Sequence, residues 1–364
     1  MEKAKIDTQL FLIMFLLISI GLVMIFSTSS IVGLANYNDS FYFIKKHFVY
    51  LVMGFIFLCV GLRVPYTFYK KYAIQGLMLS IILLILTLVP GFGIKALGAK
   101  RWLNLGFFQL QPVEIAKFFV AVFLALSLDH KKEKIRSLNK GLFPVLIMVV
   151  IPILIIAKQP DLGSLMVIGC VTFVLLFLAN ARIIHLFGLI LIGISGVLVS
   201  VLINPYQLKR ITAFLSPWDD PLGKNYHVIQ SLIAIGSGGF LGNGIGQSKL
   251  KYYYLPMHYT DFIFAIVCEE GGFILAAFVV ILFALLFYRG SIIAFRADND
   301  FAKYLAIALT LFLVIQGFIN IGVVIGILPV TGIPLTFFSF GGTALVTSMF
   351  YMGVLLNISR KVQK

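Results

Sequence analysis

Hydrophobic residues in this chain are grouped into long runs separated by short polar intervals. A run of about 17–25 apolar residues is long enough to cross the bilayer core as a helix. Runs of this kind, with soft boundaries, lie near 10–28, 47–62, 72–90, 113–128, 142–157, 162–180, 183–203, 262–288, 304–328 and 338–358. The pattern predicts an all-α polytopic membrane protein with about ten transmembrane helices, forming a single domain over residues 1–364.

The one large polar interval, 205–260, separates the seventh and eighth predicted spans and is expected on the extracytoplasmic side. Within it, Val228–Ile235 is apolar but too short to span, which favours an interfacial or re-entrant helix. Six glycines follow between Gly236 and Gly246. Glycine lets backbone approach a ligand closely or fold back on itself. A flexible connector is the alternative, but the density of polar, aromatic and glycine residues favours a pocket.

Composition and charge support a membrane location. The chain is 60% hydrophobic and 12% charged, with a mean hydropathy of +1.04, whereas a soluble domain carries roughly 25% charged residues. With the N-terminus inside, more than half of the 29 basic residues fall in cytoplasmic loops, as the positive-inside rule requires. The net charge of +15 is therefore mainly a topology signal, and no nucleic-acid partner is expected. Cys59, Cys170 and Cys268 lie in apolar runs without disulfide or metal-ligand spacing.

Three carboxylates, Asp261, Glu269 and Glu270, lie at or within the eighth predicted span, where a charge is costly and needs a reason. Thr260 or Asp261 could cap that helix, and the helix dipole with any nearby Lys would keep Asp261 ionised at neutral pH. An ionised carboxylate there, beside a glycine-rich segment, suits a general base for a hydroxyl nucleophile. Glu269 lies about 12 Å deeper at 1.5 Å of rise per residue. Glu269 and Glu270 are interpreted as interior pairing residues with a structural role.

Charged residues also occur at two other places near predicted spans. Glu114 and Lys117 are three residues apart on a presumed helix and can form an ion pair, which could equally be a structural tie between helices. Asp161 can cap the sixth helix or bind a ligand. Lys158 has no such structural reason and is a candidate for holding an anionic group.

Several separated motifs, in order along the chain, now resemble a known family. They are Gly98–Trp102 with Gln111–Lys117, Lys158–Ser164, Tyr226–Gly239, Thr260–Glu270, Gly332–Pro334 and Ser339–Gly342. They resemble the SEDS proteins (shape, elongation, division and sporulation), polytopic peptidoglycan polymerases that include FtsW and RodA. Met24–Ser30 and Gly242–Ser248 are more similar to the FtsW branch, although a sporulation paralogue would look much the same.

The resemblance implies an inverting glycosyltransferase that polymerises lipid II, the undecaprenyl-pyrophosphate-linked disaccharide pentapeptide, with Asp261 as the catalytic base. Arg101, Lys117 and Lys158 would be the cations available to the pyrophosphate. The expected substrate-binding residues are Arg101, Glu114, Lys117, Lys158, Asp161, Gln230, Ser231, Ser339, Gly341 and Gly342. A divalent cation (Mg or Mn) could assist, although no metal-ligand motif is visible.

The resemblance also implies partners and a location, and this sequence departs from the family pattern at a few positions. The partners would be a class B penicillin-binding protein, which is a transpeptidase, and division-complex proteins. The location would be the cytoplasmic membrane, with both termini cytoplasmic, at the division site if FtsW-like. Met257 and Tyr259 stand where relatives usually carry Glu and His, and Thr336 replaces a common Pro. The alternative functions are a lipid II flippase, a RodA-type elongation or sporulation paralogue with the same chemistry, and a structural scaffold of the division machinery.

Overall fold

The computed structural model describes residues 6–96, 99–104, 106, 108–203, 205–220, 223, 225–250 and 259–362. The helices are α1 (Thr8–Tyr37), α2 (Tyr42–Arg63), α3 (Tyr66–Lys71), α4 (Ala73–Leu88), α5 (Pro112–Lys131), α6 (Phe143–Lys158), α7 (Leu162–Leu178), α8 (Ile183–Ile203), α9 (Pro205–Leu215), α10 (Tyr226–Gly238), α11 (Ile263–Phe295), α12 (Asp300–Val324) and α13 (Gly342–Val362). A 3-10 turn (Lys132–Arg136) and a π turn (Leu138–Leu142) join α5 to α6.

Each predicted span coincides with one of these helices. Within the described residues, seven helical segments are long and apolar enough to cross a membrane, and α4 and α7 are shorter apolar helices. The remaining predicted span, near 113–128, corresponds to α5, which carries Glu114 and Lys117 near its N-terminal end. The protein is thus a multi-pass, predominantly helical membrane protein, as predicted. The number of ten crossings stays a prediction.

A small antiparallel sheet between α4 and α5 is the departure from the predicted all-α class. Its strands are β1 (Gly93–Ala96), β2 (Ala99–Asn104) and β3 (Gln109–Leu110), in the order β1-β2-β3. Along β2, Arg101 and Leu103 are buried, whereas the side chains between and after them are more exposed. This alternation follows from the two-residue period of a strand. The sheet therefore directs Arg101 into the protein.

Helix α12 forms the centre of the bundle. It packs against α5, α7, α11 and α13, and Phe301, Leu305 and Phe312 are almost completely buried along it. Because most of its surface faces other helices, its polar side chains must find their partners inside the protein. Gln316 and Asn320 are two such residues, and their hydrogen-bond partners lie next to the candidate active site.

Helix α11 is broken at Gly272, whose φ of 64° and ψ of −167° are not helical. The loop that follows α10 enters this break. Asn243 N donates to Glu269 O at 3.0 Å, and Phe273 N donates to Gly239 O at 3.0 Å. The predicted short helix is present as α10, which runs beside the first part of α11 down to the break. The sequence analysis missed α9.

The two buried glutamates hold this loop in the break. Glu269 accepts from Ser248 Oγ and, at 2.9 Å, from Lys249 N. Glu270 accepts from Ser27 Oγ at 2.7 Å and from Ser248 N at 3.3 Å. These contacts join the loop, α1 and α11, so they support the structural interpretation of both residues.

Gly272→Ala should destabilise the protein. A Cβ at this position would lie 2.6 Å from Phe240 O and would overlap Gly242 N, and the backbone conformation there is essentially restricted to glycine. We expect a loss of about 2 kcal/mol or more, seen as a lower apparent melting temperature of purified protein. Gly169→Ala in α7 is the matched control, because nothing lies within 4 Å of its Cβ position. Equal melting temperatures for the two variants would contradict the broken-helix geometry.

Candidate active site

The backbone of residues 259–261 is held at three consecutive carbonyl oxygens. Phe340 N donates to Tyr259 O at 3.0 Å. Ser339 Oγ donates to Thr260 O at 2.7 Å, and Asn320 Nδ2 donates to Asp261 O at 2.7 Å. The turn that carries Asp261 is thereby tied to α12 and to the segment before α13. These three hydrogen bonds hold the backbone of the turn and do not involve the Asp261 side chain.

The carboxylate of Asp261 does not cap α11. The helix begins after Phe262, which is its N-cap residue and makes no side-chain capping hydrogen bond. The prediction that Thr260 or Asp261 is the N-cap residue is therefore wrong.

Two arginines lie beside this carboxylate, around Gly332. A Cβ built on Gly332 would lie 3.7 Å from both Asp261 Oδ2 and Arg101 Nη1, and 3.8 Å from Arg210 Nη1. Gly332 has a φ of +74°, a conformation that glycine adopts without a steric penalty. A side chain at position 332 would fill the space where the three charged groups converge.

Arg101 reaches this point from β2 and is held by the turn between α6 and α7. Its guanidinium donates to Gln159 O at 3.3 Å and to Pro160 O, and its Nη1 is 4.0 Å from Asp161 Oδ1. Asp161 also caps α7 by accepting from Ser164 N at 3.2 Å. The predicted cap is confirmed, and the same carboxylate faces Arg101.

Arg210 reaches the site from α9 and was missed by the sequence analysis. Its Nη1 donates to Val330 O at 3.1 Å, which places the guanidinium beside the segment that contains Gly332. The available signal was a basic residue in an amphipathic segment of the long polar interval 205–260. Its approach to Asp261 depends on how α9 packs in the folded protein, which no local pattern reveals.

Burial and charge act on Asp261 in opposite directions. Burial raises the pKa of Asp261 to about 6, and the Asp161 carboxylate also raises it, whereas Arg210 and Arg101 lower it. At pH 7 a carboxyl with this pKa is about 90% ionised. The prediction of an ionised carboxylate agrees with this pKa, but the nearby cations are arginines rather than lysines. A pKa close to the working pH suits a general base.

The predicted ion pair between Glu114 and Lys117 is confirmed, with 2.7 Å between Glu114 Oε1 and Lys117 Nζ. Lys117 Nζ also donates to Gln316 Oε1 at 2.8 Å. Glu114 is 3% exposed and Lys117 1% exposed. The ammonium group of Lys117 is thus enclosed between Glu114 and Gln316. Substrate binding by Glu114 and Lys117 stays a prediction.

Two predicted substrate-binding serines have their hydroxyl groups bound to backbone. Ser231 is completely buried and donates to Val324 O at 2.7 Å. Ser339 donates to Thr260 O and accepts from Leu335 N at 2.7 Å. These bonds connect Ser231 of α10 to α12 and Ser339 to the Asp261 turn. Substrate binding by the two serines stays a prediction.

The remaining predicted binding residues differ in accessibility. Lys158 is exposed in the last turn of α6, and Gln230 is half-buried in α10. Gly341 and Gly342 are half-buried at the start of α13, where a Cβ at Gly342 would collide with the ring of Tyr50. Substrate binding by these four residues stays a prediction.

An apolar groove opens between α2, α3, α4, α5 and α13. Its volume is about 700 Å³, and its lining includes Tyr50, Phe57, Leu79, Phe119 and Val346. In the part of the chain that the structure describes, no group of three or more His, Cys, Asp or Glu side chains is arranged to hold a metal ion. The structure thus combines a cluster of charged side chains at Asp261 with an apolar groove.

Comparison with known proteins shows relatives of the same length. Over 99% of this chain and 98% of the relative, the chain is 42% identical to Stage V sporulation protein E of Bacillus subtilis. It is 38% identical to the probable peptidoglycan glycosyltransferase FtsW of Trichlorobacter lovleyi, covering 98% of this chain and 93% of the relative.

A solved structure of a peptidoglycan synthase complex, studied for its coordination of polymerization and crosslinking, contains a chain with the same fold. The TM-score is 0.80 at 26% identity, and 99% of each chain is covered. A family model described as "Cell cycle protein" and named for FtsW, RodA and SpoVE matches residues 7–364. The motifs, the fold and these full-length matches agree, and the chain belongs to the FtsW/RodA/SpoVE family, the SEDS proteins.

Proposed function

We propose that this protein is a peptidoglycan glycosyltransferase that polymerises lipid II into β-1,4 glycan strands, with Asp261 as the general base. The observation that carries the proposal is a carboxylate with a pKa of about 6, on a turn anchored at three carbonyls and beside two arginines. The name of the FtsW relative supports the same reaction.

The reaction is a single displacement. Asp261 takes the proton from the GlcNAc 4-hydroxyl of one lipid II as that oxygen attacks the anomeric carbon of the terminal MurNAc of the growing strand. The bond from this carbon to the pyrophosphate oxygen breaks, and undecaprenyl pyrophosphate leaves with the electron pair. Attack from the opposite face converts the α-linkage into a β-linkage.

The leaving pyrophosphate gains negative charge in the transition state, and prepositioned cations stabilise such charge. Arg101 and Arg210 lie beside Asp261, so they are the cations that we assign to this task. Arginine suits it because the guanidinium can donate two parallel hydrogen bonds to phosphate oxygens. Lys158, exposed at the end of α6, is the candidate for an outer contact with the same group.

The undecaprenyl chain is apolar and needs a surface that shields it from water. The groove between α2, α4, α5 and α13 supplies one, with a volume of about 700 Å³ and almost entirely apolar walls. Gly342 and Thr343 line its wall at the start of α13, close to the segment that anchors the Asp261 turn. A lipid tail in this groove would bring its headgroup toward the charged pocket.

The biological setting follows from family and charge. We infer a protein of the cytoplasmic membrane with both termini inside, an outward-facing pocket, and a class B penicillin-binding protein and division proteins as partners. The solved peptidoglycan synthase complex supports a transpeptidase partner. A division role stays a prediction, because the sporulation relative is 42% identical and the FtsW relative 38%.

A lipid II flippase is the second candidate, and the break in α11 is the observation that favours it. Broken helices beside a re-entrant segment are common in transporters, where they build a binding site at membrane depth. Here the loop after α10 fills the break through backbone hydrogen bonds and the buried Glu269 and Glu270. The break is therefore closed by protein, which favours the polymerase.

Asp261→Asn should lower lipid II polymerisation by at least about 100-fold, the range lost with a general base, while the melting temperature stays near that of wild type. The assay measures glycan strand length with purified full-length protein and lipid II. Asp219→Asn, an exposed carboxylate of the same outer loop, is the control and should stay active. Strands made at the wild-type rate by Asp261→Asn would exclude the base role. Lipid II flipping that survives the substitution, without polymer from wild type, would favour the flippase.

The polymerisation rate should fall as the pH decreases through about 6, because the ionised form of Asp261 is the active one and its pKa is about 6. Arg210→Gln removes a charge that lowers this pKa, so the acid limb of kcat/KM should move to higher pH. Arg210→Lys keeps the charge and should leave the limb near its wild-type position. An acid limb that stays in place, or moves to lower pH, in Arg210→Gln would contradict the assignment.

Cysteine labelling tests the orientation. Asp219→Cys in the outer loop should react with a membrane-impermeant thiol reagent in intact cells, and Lys132→Cys should react only after permeabilisation. Both native residues are exposed, and the distribution of Lys and Arg assigns them to opposite sides. Labelling of position 132 from outside would invert the topology. It would put Asp261 on the cytoplasmic face, where no glycan strand is polymerised.

A further inference from the structure

Helix α12 carries two amide side chains one turn apart in its buried interior. Gln316 is 4% exposed and Asn320 1% exposed, on a helix that is otherwise mainly apolar at this level. Burying an amide costs free energy unless it is hydrogen-bonded. The partners of these two amides therefore indicate what they are for.

Asn320 connects the turn of the proposed base to the segment that faces it. Its Nδ2 donates to Asp261 O and to Ile333 O, each at 2.7 Å. Ile333 follows Gly332, around which Asp261, Arg101 and Arg210 converge. One amide group thus sets the spacing between the backbone of Asp261 and the backbone beside both arginines.

Gln316 makes the equivalent connection one turn further into the membrane. Its Nε2 donates to Pro334 O at 3.3 Å, and its Oε1 accepts from Lys117 Nζ at 2.8 Å. The orientation of this amide is fixed by chemistry, because a lysine only donates and a carbonyl only accepts. Lys117 is bound in turn by Glu114 at 2.7 Å.

Ile333 and Pro334 are consecutive, so the two amides hold neighbouring carbonyls of one segment. A continuous path of hydrogen bonds then runs from Glu114 through Lys117 and Gln316 to Pro334, and Asn320 joins the same segment to Asp261. The Oδ1 of Asn320 is buried and has no hydrogen-bond partner among the described residues. The side-chain hydrogen bonds of Asn320 are therefore those that its Nδ2 donates to Asp261 O and Ile333 O.

We propose that Gln316 and Asn320 are positioning residues through which the buried Glu114–Lys117 pair keeps Asp261 at its working distance from Arg101 and Arg210. This inference rests on the proposed function. Lys117 acts through Gln316, without touching the substrate. The alternative is that the two amides only stabilise the bundle.

The two roles differ in their effect on folded protein. A positioning residue lowers kcat with little change in KM, because a displacement of about 1 Å at the reacting atoms can cost about 100-fold in rate. A residue that only stabilises the bundle lowers the melting temperature and the yield, and leaves kcat per folded molecule unchanged. Kinetics normalised to folded protein therefore separate the two.

The experiment compares Asn320→Ala, Asn320→Asp and Gln316→Ala with Thr310→Val in full-length protein. Thr310 lies on the same helix and donates to its own helix at Ala306 O, so its variant is the matched control. Asn320→Asp keeps the shape but replaces the donor by an acceptor facing two carbonyls. We expect both Asn320 variants to lose about 100-fold in kcat, with KM within about twofold of wild type and Thr310→Val active.

Gln316→Ala and Lys117→Ala should each lower kcat, and the double variant should be no worse than the stronger single one, because the two act in one path. Gln316→Glu keeps an acceptor for Lys117 but no donor for Pro334 O. It should therefore lose kcat while staying folded, which covers the case in which Gln316→Ala does not fold.

Additive losses in the double variant, or Asn320 variants with the kcat of Thr310→Val per folded molecule, would overturn the inference. Failure of the proposed function looks different. In that case wild type makes no polymer, or Asp261→Asn makes as much as wild type. An active wild type, an inactive Asp261→Asn and fully active Asn320 variants would reject the positioning role alone.

Discussion

A carboxylate kept ionised at the edge of an apolar protein is the constraint on which the rest of this structure depends. Burial favours the neutral acid, so an ionised Asp261 requires cations at close range, and Arg101 and Arg210 supply them. Each arginine is itself anchored to backbone carbonyls, at Gln159 and Val330 respectively. The three charged side chains thus come from three separate parts of the chain, each of which fixes the position of one charge.

The hydrogen-bonded backbone around Asp261 holds its carboxylate near the two arginines. The turn that carries it accepts hydrogen bonds at three consecutive carbonyls, so its placement follows α12 and the segment before α13 rather than α11 alone. On its other side, the loop after α10 closes the break in α11 and is secured by Glu269 and Glu270. Both glutamates are buried charges of the kind that normally marks a functional site in a membrane protein. Here their partners indicate a supporting role.

In our proposal, the Glu114–Lys117 pair acts on a site that it does not touch. An ion pair this deeply buried gains from mutual attraction but loses hydration on both sides, so it is weak evidence for a contribution to stability. The hydrogen bonds from Lys117 to Gln316 and from Gln316 to Pro334 O connect the pair to the segment that faces Asp261. By charge alone, Lys117 and Arg101 look alike, but the guanidinium of Arg101 lies beside Asp261, whereas the ammonium of Lys117 is bound to Glu114 and Gln316.

The sequence by itself determined the membrane class and the position of each long helix, because runs of apolar residues are local signals. It also singled out Asp261 as a candidate base, because a polar motif at a helix start is local too. It also determined the Glu114–Lys117 pair, which depends only on three-residue spacing within α5. Only the tertiary structure decided that Arg210 faces Asp261, that Ser231 and Ser339 bind backbone, and that Lys117 is enclosed. The hydrogen bond from Ser339 to Thr260 joins residues 79 positions apart, and the one from Lys117 to Gln316 joins residues 199 positions apart. Which helices meet is set by packing over their whole length, and no short stretch of sequence contains that information.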